Sequence, residues 1–129
     1  MKLEDYIKQA GATDYRDYKP VQDRMNQASN AADMHYAMGI CTEAGEILDM
    51  YKKVFVYGQP VDVVNLKEEL GDIMWYMARF CEKYDFTFEE LAAKNISKLK
   101  ARYGDKFSEY AALNRDLEKE RKVLEDDNE

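Results

Sequence analysis

Two acidic pairs at helical spacing are the residues of this sequence best suited to chemistry. Glu43 and Glu46 form the first pair, and Glu69 and Asp72 form the second after 22 intervening residues. Residues three apart share one face of an α-helix, so each pair is a two-pronged oxygen ligand. Two such helices lying antiparallel would place four carboxylates around one point, where like charges repel one another unless a cation binds. An all-oxygen set of ligands favours Mg²⁺ or Mn²⁺ over zinc.

The composition predicts one helical domain over residues 1–129. Charged residues make up 35% of the chain and apolar residues 46%, with two prolines and six glycines, which favours helices over a sheet. The sequence contains no apolar run near the ~20 residues of a membrane span and no signal-peptide pattern, so we expect a cytoplasmic protein. The net charge of -7 argues against a nucleic-acid surface. Cys41 and Cys81 lack a thiol or histidine partner at ligand spacing, and we expect both to be buried free thiols.

Apolar periodicity predicts an all-α protein, an antiparallel bundle of about four main helices with a short N-terminal helix and a charged C-terminal helical tail. The predicted helices cover residues 3–10, a stretch from about Pro20, a long helix from Asn30 or Asp33 to Tyr57, residues 62–84 and residues 88–103. Thr87 is suited to cap the last of these, and Gly104 to end it. The tail over residues 115–129 is mostly charged, which predicts a solvated helix that frays.

A polar stripe runs along the helix predicted over residues 88–103. Asn95, Lys98 and Arg102 share its face, and the two cations suit phosphate, which arginine binds with two donors and lysine with a point charge. Asn95, one turn earlier on the stripe, could hold a sugar hydroxyl of a nucleoside or a metal-bound water. The alternative is an ordinary surface stripe paired with nearby acids. Lys53, about two turns after Glu46, is a further candidate for phosphate.

Two other residues could contact a nucleoside. Tyr76 continues the stripe of the second acidic pair and could stack on a base, although packing in the core is an equal alternative. His35 lies about three turns from Glu46, roughly 16 Å, which is too far to serve the same phosphate but close enough for the base end of a nucleotide. An exposed histidine near a helix start is the alternative for His35.

The order of these motifs resembles the MazG family of all-α nucleoside triphosphate pyrophosphohydrolases. The resemblance covers residues 34–104 and rests on the two acidic pairs, the glycine inside each pair, and the run from Asn95 to Tyr103. It implies Mg²⁺-dependent cleavage between the α and β phosphates, which yields a nucleoside monophosphate and pyrophosphate. The positions that match the family's metal ligands are Glu43, Glu46, Glu69 and Asp72. Among them we choose Glu43 as the group that also takes the proton.

Three functional hypotheses are compatible with these motifs. The first is general cleavage of (deoxy)nucleoside triphosphates. The second is a base-restricted relative, acting on dUTP, dCTP or dGTP, or an enzyme of the phosphoribosyl-ATP type. The third is a non-catalytic helical bundle that binds metal or nucleotide. The resemblance also implies a homodimer or homotetramer, in keeping with an apolar content that includes Trp75 and seven methionines.

Overall fold

A computed structural model describes residues 1–126 of the chain. The structure is 79% helical, and the described residues contain seven helices and no strand, which confirms the predicted all-α class and its helical tail. In this bundle α3 and α4 contact each other. The helices are α1 (Leu3–Ala12), α2 (Lys19–Met25), α3 (Ala28–Tyr57), α4 (Val63–Tyr84), α5 (Phe88–Tyr103), α6 (Glu109–Leu113) and α7 (Leu117–Glu125).

The chain divides into two compact units, and the division falls inside α4. The first unit covers Met1–Ile73, and the second begins at Met74. The first unit therefore holds α1, α2, α3 and the start of α4, and the second holds the rest of α4 and the three helices after it. Our prediction of one domain over the whole chain stays a prediction.

The long helix α3 and the helix after it have well-defined ends. The N–H of Gly58 bonds to the carbonyl of Val54, and Gly58 has the left-handed φ of +66° that favours glycine at a helix end. α3 begins at Ala28, two residues before Asn30, the earlier of its two predicted starts. Because α2 ends at Met25, only two residues link α2 to α3. Asp62 caps α4, because its Oδ1 accepts hydrogen bonds from the backbone N–H groups of Val64 and Asn65 at 3.1 and 3.0 Å.

The second unit shows two of the predicted signals. Thr87 caps α5, since its Oγ1 accepts a hydrogen bond from the N–H of Glu90 at 3.1 Å. Gly104 follows the last residue of α5 with a φ of +66°, as a helix-ending glycine should.

The charged tail differs from the prediction in one respect. As predicted, it is helical and most of α7 (Leu117–Glu125) is exposed, but the helix packs against α5 and its Glu120 is only 4% exposed. The cause is a set of polar contacts that charge patterning alone does not reveal. Glu120 pairs with arginines, and the Lys94 ammonium donates to the backbone carbonyl of Asp126. The predicted tail continues to residue 129, and its last three residues lie outside the described residues.

Few apolar side chains are buried in the described part of the chain. Met50 and Cys81 are its buried hydrophobic side chains, at 4% and 8% exposure. Cys81 is therefore buried as predicted, whereas Cys41 is exposed and that prediction is wrong. The reason is that other helices cover little of α3, in which Gly39 and Met50 are the buried residues. None of the described helices combines the length and the apolar character that crossing a bilayer requires.

Candidate metal and phosphate site

Three carboxylates of the first unit meet at one point. Glu43 of α3 and Glu69 and Asp72 of α4 each offer an oxygen, and these oxygens all lie within 4.8 Å of one another. Glu69 is 5% exposed, Glu43 is half-buried and Asp72 is exposed. The Nδ2 of Asn65 donates to Glu69 Oε1 at 2.6 Å, which fixes the buried carboxylate from one helical turn earlier in α4. The structure thus brings together three of the four predicted metal ligands.

The electrostatics of this group suit a cation. The pKa of Glu43 is raised, first by burial, then by a hydrogen bond with Glu69, and then by the charges of Glu46, Asp72 and Glu69. Negative charge is therefore costly at Glu43 while no positive charge is near. A divalent ion among these oxygens would reverse that effect and favour the ionised carboxylates. The donor set, which is oxygen only, fits Mg²⁺ or Mn²⁺.

Glu46 stands apart from the group of three. It lies on the next turn of α3, it is exposed, and its charge contributes to the raised pKa of Glu43. Its assignment as a fourth ligand stays a prediction.

Lys53 lies further along α3 in an exposed ion pair. Its Nζ is 2.9 Å from Asp49 Oδ2, and the two side chains are 60% and 52% exposed. This contact raises the pKa of Lys53 and lowers that of Asp49. Exposed pairs of this kind contribute little to stability, so the ammonium can exchange Asp49 for another anion at low cost.

A cleft that the sequence did not predict opens beside Lys53, at the C-terminal end of α3. Its volume is about 510 Å³, and the residues that line it are Met50, Lys53, Gln59, Pro60, Val61, Asp62, Val63 and Val64. Most of these residues belong to the link between α3 and α4 and to the first turn of α4. No periodic signal marks such a link, so sequence patterns could locate the turn but not the cleft.

The predicted nucleoside contacts lie in different parts of the structure. His35 is exposed and lines a cleft of about 320 Å³ between α2 and α3 whose walls include the side chains of Met25, Met34 and Met38. Tyr76 lies in the second unit, half-buried, with its ring edge-on to Trp75 at 5.0 Å between centroids.

The predicted polar stripe lies on α5 of the second unit. Asn95 is exposed, Lys98 is half-buried, and Arg102 is bound to an acid. Arg102 donates from Nε to Glu120 Oε1 at 2.9 Å and from Nη2 to Glu120 Oε2 at 2.6 Å. Arg115 donates to the same two oxygens at 3.3 and 2.7 Å. The bidentate fork that suggested phosphate binding is thus occupied by a carboxylate of the chain itself.

Glu120 is a site residue that the sequence did not reveal. Its hydrogen bonds from Arg102 and then Arg115 lower its pKa from 4.5 to about 2. In the sequence it is one acid in a tail crowded with charges of both signs, so neither spacing nor residue type distinguishes it. Arg115 was not predicted as a site residue for the same reason.

The lowered pKa of Glu120 gives stability a defined pH dependence. A carboxyl group with a folded-state pKa below its unfolded value stabilises the fold above the unfolded pKa, and this contribution is lost as pH falls through the folded pKa. We therefore expect Glu120→Gln to destabilise the chain at neutral pH. The difference between wild type and Glu120→Gln in the free energy of unfolding should shrink as pH falls from 4.5 to about 2. Urea unfolding of both proteins across this range measures this difference, and a difference independent of pH would contradict the assignment.

Comparison with known protein families identifies one whose model matches the part of the chain that holds this site. The family model of the MazG nucleotide pyrophosphohydrolase domain matches residues 33–107. The chain belongs to the MazG family. The matched MazG region contains the acidic pairs and the stripe on α5, and it ends before Arg115 and Glu120.

One curated relative of this MazG domain comes from a bacteriophage. The chain is 33% identical over 72 residues to the Gene 37 protein of Mycobacterium phage L5. The similarity covers 53% of this chain and 63% of the phage protein. No solved structure matches this chain. The family assignment thus rests on the MazG model, which spans more than half of the chain.

Proposed function

We propose that this protein is a Mg²⁺-dependent nucleoside triphosphate pyrophosphohydrolase. It cleaves (deoxy)nucleoside triphosphates between the α and β phosphates and releases a monophosphate and pyrophosphate. The observation that carries the proposal is the group formed by Glu43, Glu69 and Asp72, with oxygens within 4.8 Å of one another inside a matched MazG region.

The carboxylate group has two tasks in this reaction. Glu43, Glu69 and Asp72 would hold Mg²⁺, with Glu46 as a further ligand from the next turn. The bound ion would neutralise charge that develops on the phosphate oxygens. Glu43 also accepts the proton of the water that attacks phosphorus, as the bridging P–O bond breaks and pyrophosphate leaves. Its place among the metal-binding oxygens supports that role, because a general base must lie within reach of the water that it deprotonates.

Basic residues would bind the phosphates, and three other side chains would contact the nucleoside. Lys53, Lys98 and Arg102 are the proposed phosphate ligands, and the weak pairing of Lys53 with Asp49 supports its availability. The proposed nucleoside contacts are His35, Tyr76 and Asn95. The cleft beside His35 supports a base contact there, since methionine side chains and an imidazole form the mixed apolar and polar lining typical of ligand pockets.

We also propose that the protein works as a homo-oligomer, a dimer or a tetramer. Large apolar side chains are uncovered on α3 and at the start of α4, among them Leu48 at 71%, Phe55 at 80% and Val64 at 78% exposure. Single apolar residues at the surface are ordinary, but a surface with this many favours burial against another chain. A second copy of this chain is the occupant that we propose.

The products of the reaction test the proposed function directly. With Mg²⁺ and a panel of canonical and modified nucleoside triphosphates, phosphorus NMR should show monophosphate and pyrophosphate as the first products. The panel also reveals any restriction to one base. Orthophosphate as the first product, from enzyme free of pyrophosphatase, would contradict the reaction class. No turnover of any member of the panel would favour the non-catalytic hypothesis.

A further inference from the structure

The contact between α7 and α5 has the geometry of an occupied anion site. Two guanidinium groups, from Arg102 and Arg115, each present a pair of N–H donors to the two oxygens of Glu120, at distances from 2.6 to 3.3 Å. Arginine binds phosphate through the same two-donor fork. One carboxylate neutralises only one of the two positive charges. The pair therefore keeps a net positive charge that an anion of higher charge would satisfy better.

α7 packs along α5, and the Glu120 pairing is its most deeply buried contact. Glu120 is the buried residue of the helix, whereas Leu117 and Leu124 are 62% and 38% exposed. A cavity of about 180 Å³ remains beside α7, lined by Lys94, Ser97, Val123 and Asp126. The helix has nine residues, and helices that short are marginal in water without tertiary contacts. The pairing of Glu120 with its two arginines is therefore a main contribution to the docking of α7, beside its packing on α5.

We propose that Arg102 and Arg115 form a polyphosphate-binding site whose resident anion is Glu120, so that polyphosphate binding and the docking of α7 exclude each other. When a polyphosphate binds, its oxygens accept the hydrogen bonds that Arg102 and Arg115 otherwise donate to Glu120. Glu120 and α7 then separate from α5. The inference rests on the proposed function in naming polyphosphate as the ligand. It goes beyond that function because it makes the C-terminal helix an internal competitor of this ligand.

The proposal makes a quantitative link between two measurements. When a ligand binds only the open form, its apparent dissociation constant is the intrinsic constant divided by the open fraction. The gain in affinity on removing the competitor therefore equals the equilibrium constant for docking of α7. Protection of α7 amides from hydrogen exchange reports that same constant.

The experiment uses the full chain and inorganic tripolyphosphate in EDTA, at constant ionic strength. EDTA removes binding through a divalent ion, and comparison of Glu120→Gln with wild type then isolates the contribution of the two arginines. In wild type we expect tripolyphosphate to speed exchange of the amides in Leu117–Glu125 by about tenfold or more. We expect Glu120→Gln to bind the probe more tightly, by a factor that matches the α7 protection of wild type within about threefold. Glu118→Gln is the matched control, an equal change of charge at an exposed position of the same helix, and should behave as wild type.

Each possible outcome decides the proposal. Unchanged or slower exchange in α7 with tripolyphosphate would make the contact a fixed structural clamp and overturn the proposal. Equal gains in affinity for Glu118→Gln and Glu120→Gln would indicate an effect of net charge, and would also overturn it. If Glu120→Gln fails to fold, the exchange measurement on wild type decides alone. Since no catalysis is measured, a chain without pyrophosphohydrolase activity could still confirm this site, and an active enzyme could still lack it.

Discussion

Glu69→Gln should abolish turnover and at the same time raise the melting temperature of the metal-free protein. Glu69 is 5% exposed, lies against Glu43 and Asp72, and helps to raise the pKa of Glu43, so removing its charge should relieve repulsion at Glu43 when no cation is present. Glutamine keeps the oxygen that accepts a hydrogen bond from Asn65. We expect a rise of about 2 to 5 °C without metal. Metals at such sites contribute several kcal/mol to transition-state stabilisation, so turnover should fall on the order of 1,000-fold.

The control for this variant lies one residue earlier. Glu68→Gln makes the same change of charge at an exposed position of α4 and should leave both activity and metal response intact. Differential scanning fluorimetry with and without Mg²⁺ separates the two effects. Stabilisation by Mg²⁺ should vanish in Glu69→Gln, since a ligand stabilises only the state that it binds. A Glu69→Gln enzyme with normal turnover at ordinary Mg²⁺ concentrations would refute the metal assignment.

Arg102→Ala should lower kcat/KM for triphosphates by about 10-fold to 150-fold, the range expected for loss of one hydrogen-bonded contact to a charged group. Binding of the free nucleoside, which has no phosphate, should change little. Arg102→Lys should recover part of the loss, because lysine keeps the charge but not the fork. Steady-state kinetics over a range of substrate concentrations measure the effect. Lys100→Ala, an exposed cation of the same helix, is the control.

A second effect of Arg102→Ala follows from its contact with Glu120. The substitution removes two of the four hydrogen bonds that hold the Glu120 carboxylate. Hydrogen exchange in α7 should therefore speed up whether or not substrate is present. Unchanged kcat/KM for triphosphates in Arg102→Ala would contradict phosphate binding and leave this arginine only its structural contact with the tail.

The sequence predicted the helices and the acidic group because both depend on local spacing. Helical period, the Thr87 cap and the glycines after α3 and α5 fix where the helices lie, and spacing of three residues fixes which carboxylates share a face. Glu43, Glu69 and Asp72 meet as expected because each lies at a defined turn of its helix. Their meeting also requires α3 and α4 to pack side by side, which the short link between these consecutive helices favours.

The features that the sequence did not reveal depend on packing between segments. Burial of Cys41 would require another helix over its part of α3, and the period of an apolar stripe does not reveal whether a partner covers it. The buried contact of the tail joins Arg102 to a glutamate 18 residues later, and Arg115 pairs with the same glutamate. Charges in the tail are numerous, so sequence alone offers many equivalent pairings and no means of choosing among them.

The Asp62 cap has a consequence for how the chain tolerates changes in length. It fixes where α4 begins, and Glu69 and Asp72 lie at set distances from that start. Each residue of an α-helix turns the chain by 100°, so one residue inserted between Asp62 and Glu69 would swing both carboxylates away from Glu43. The same insertion between Gly58 and Asp62 would only lengthen the connection, and the cap would restart the helix in its old register. Insertions and deletions should therefore accumulate before Asp62, and the seven-residue step from Asp62 to Glu69 should keep its length.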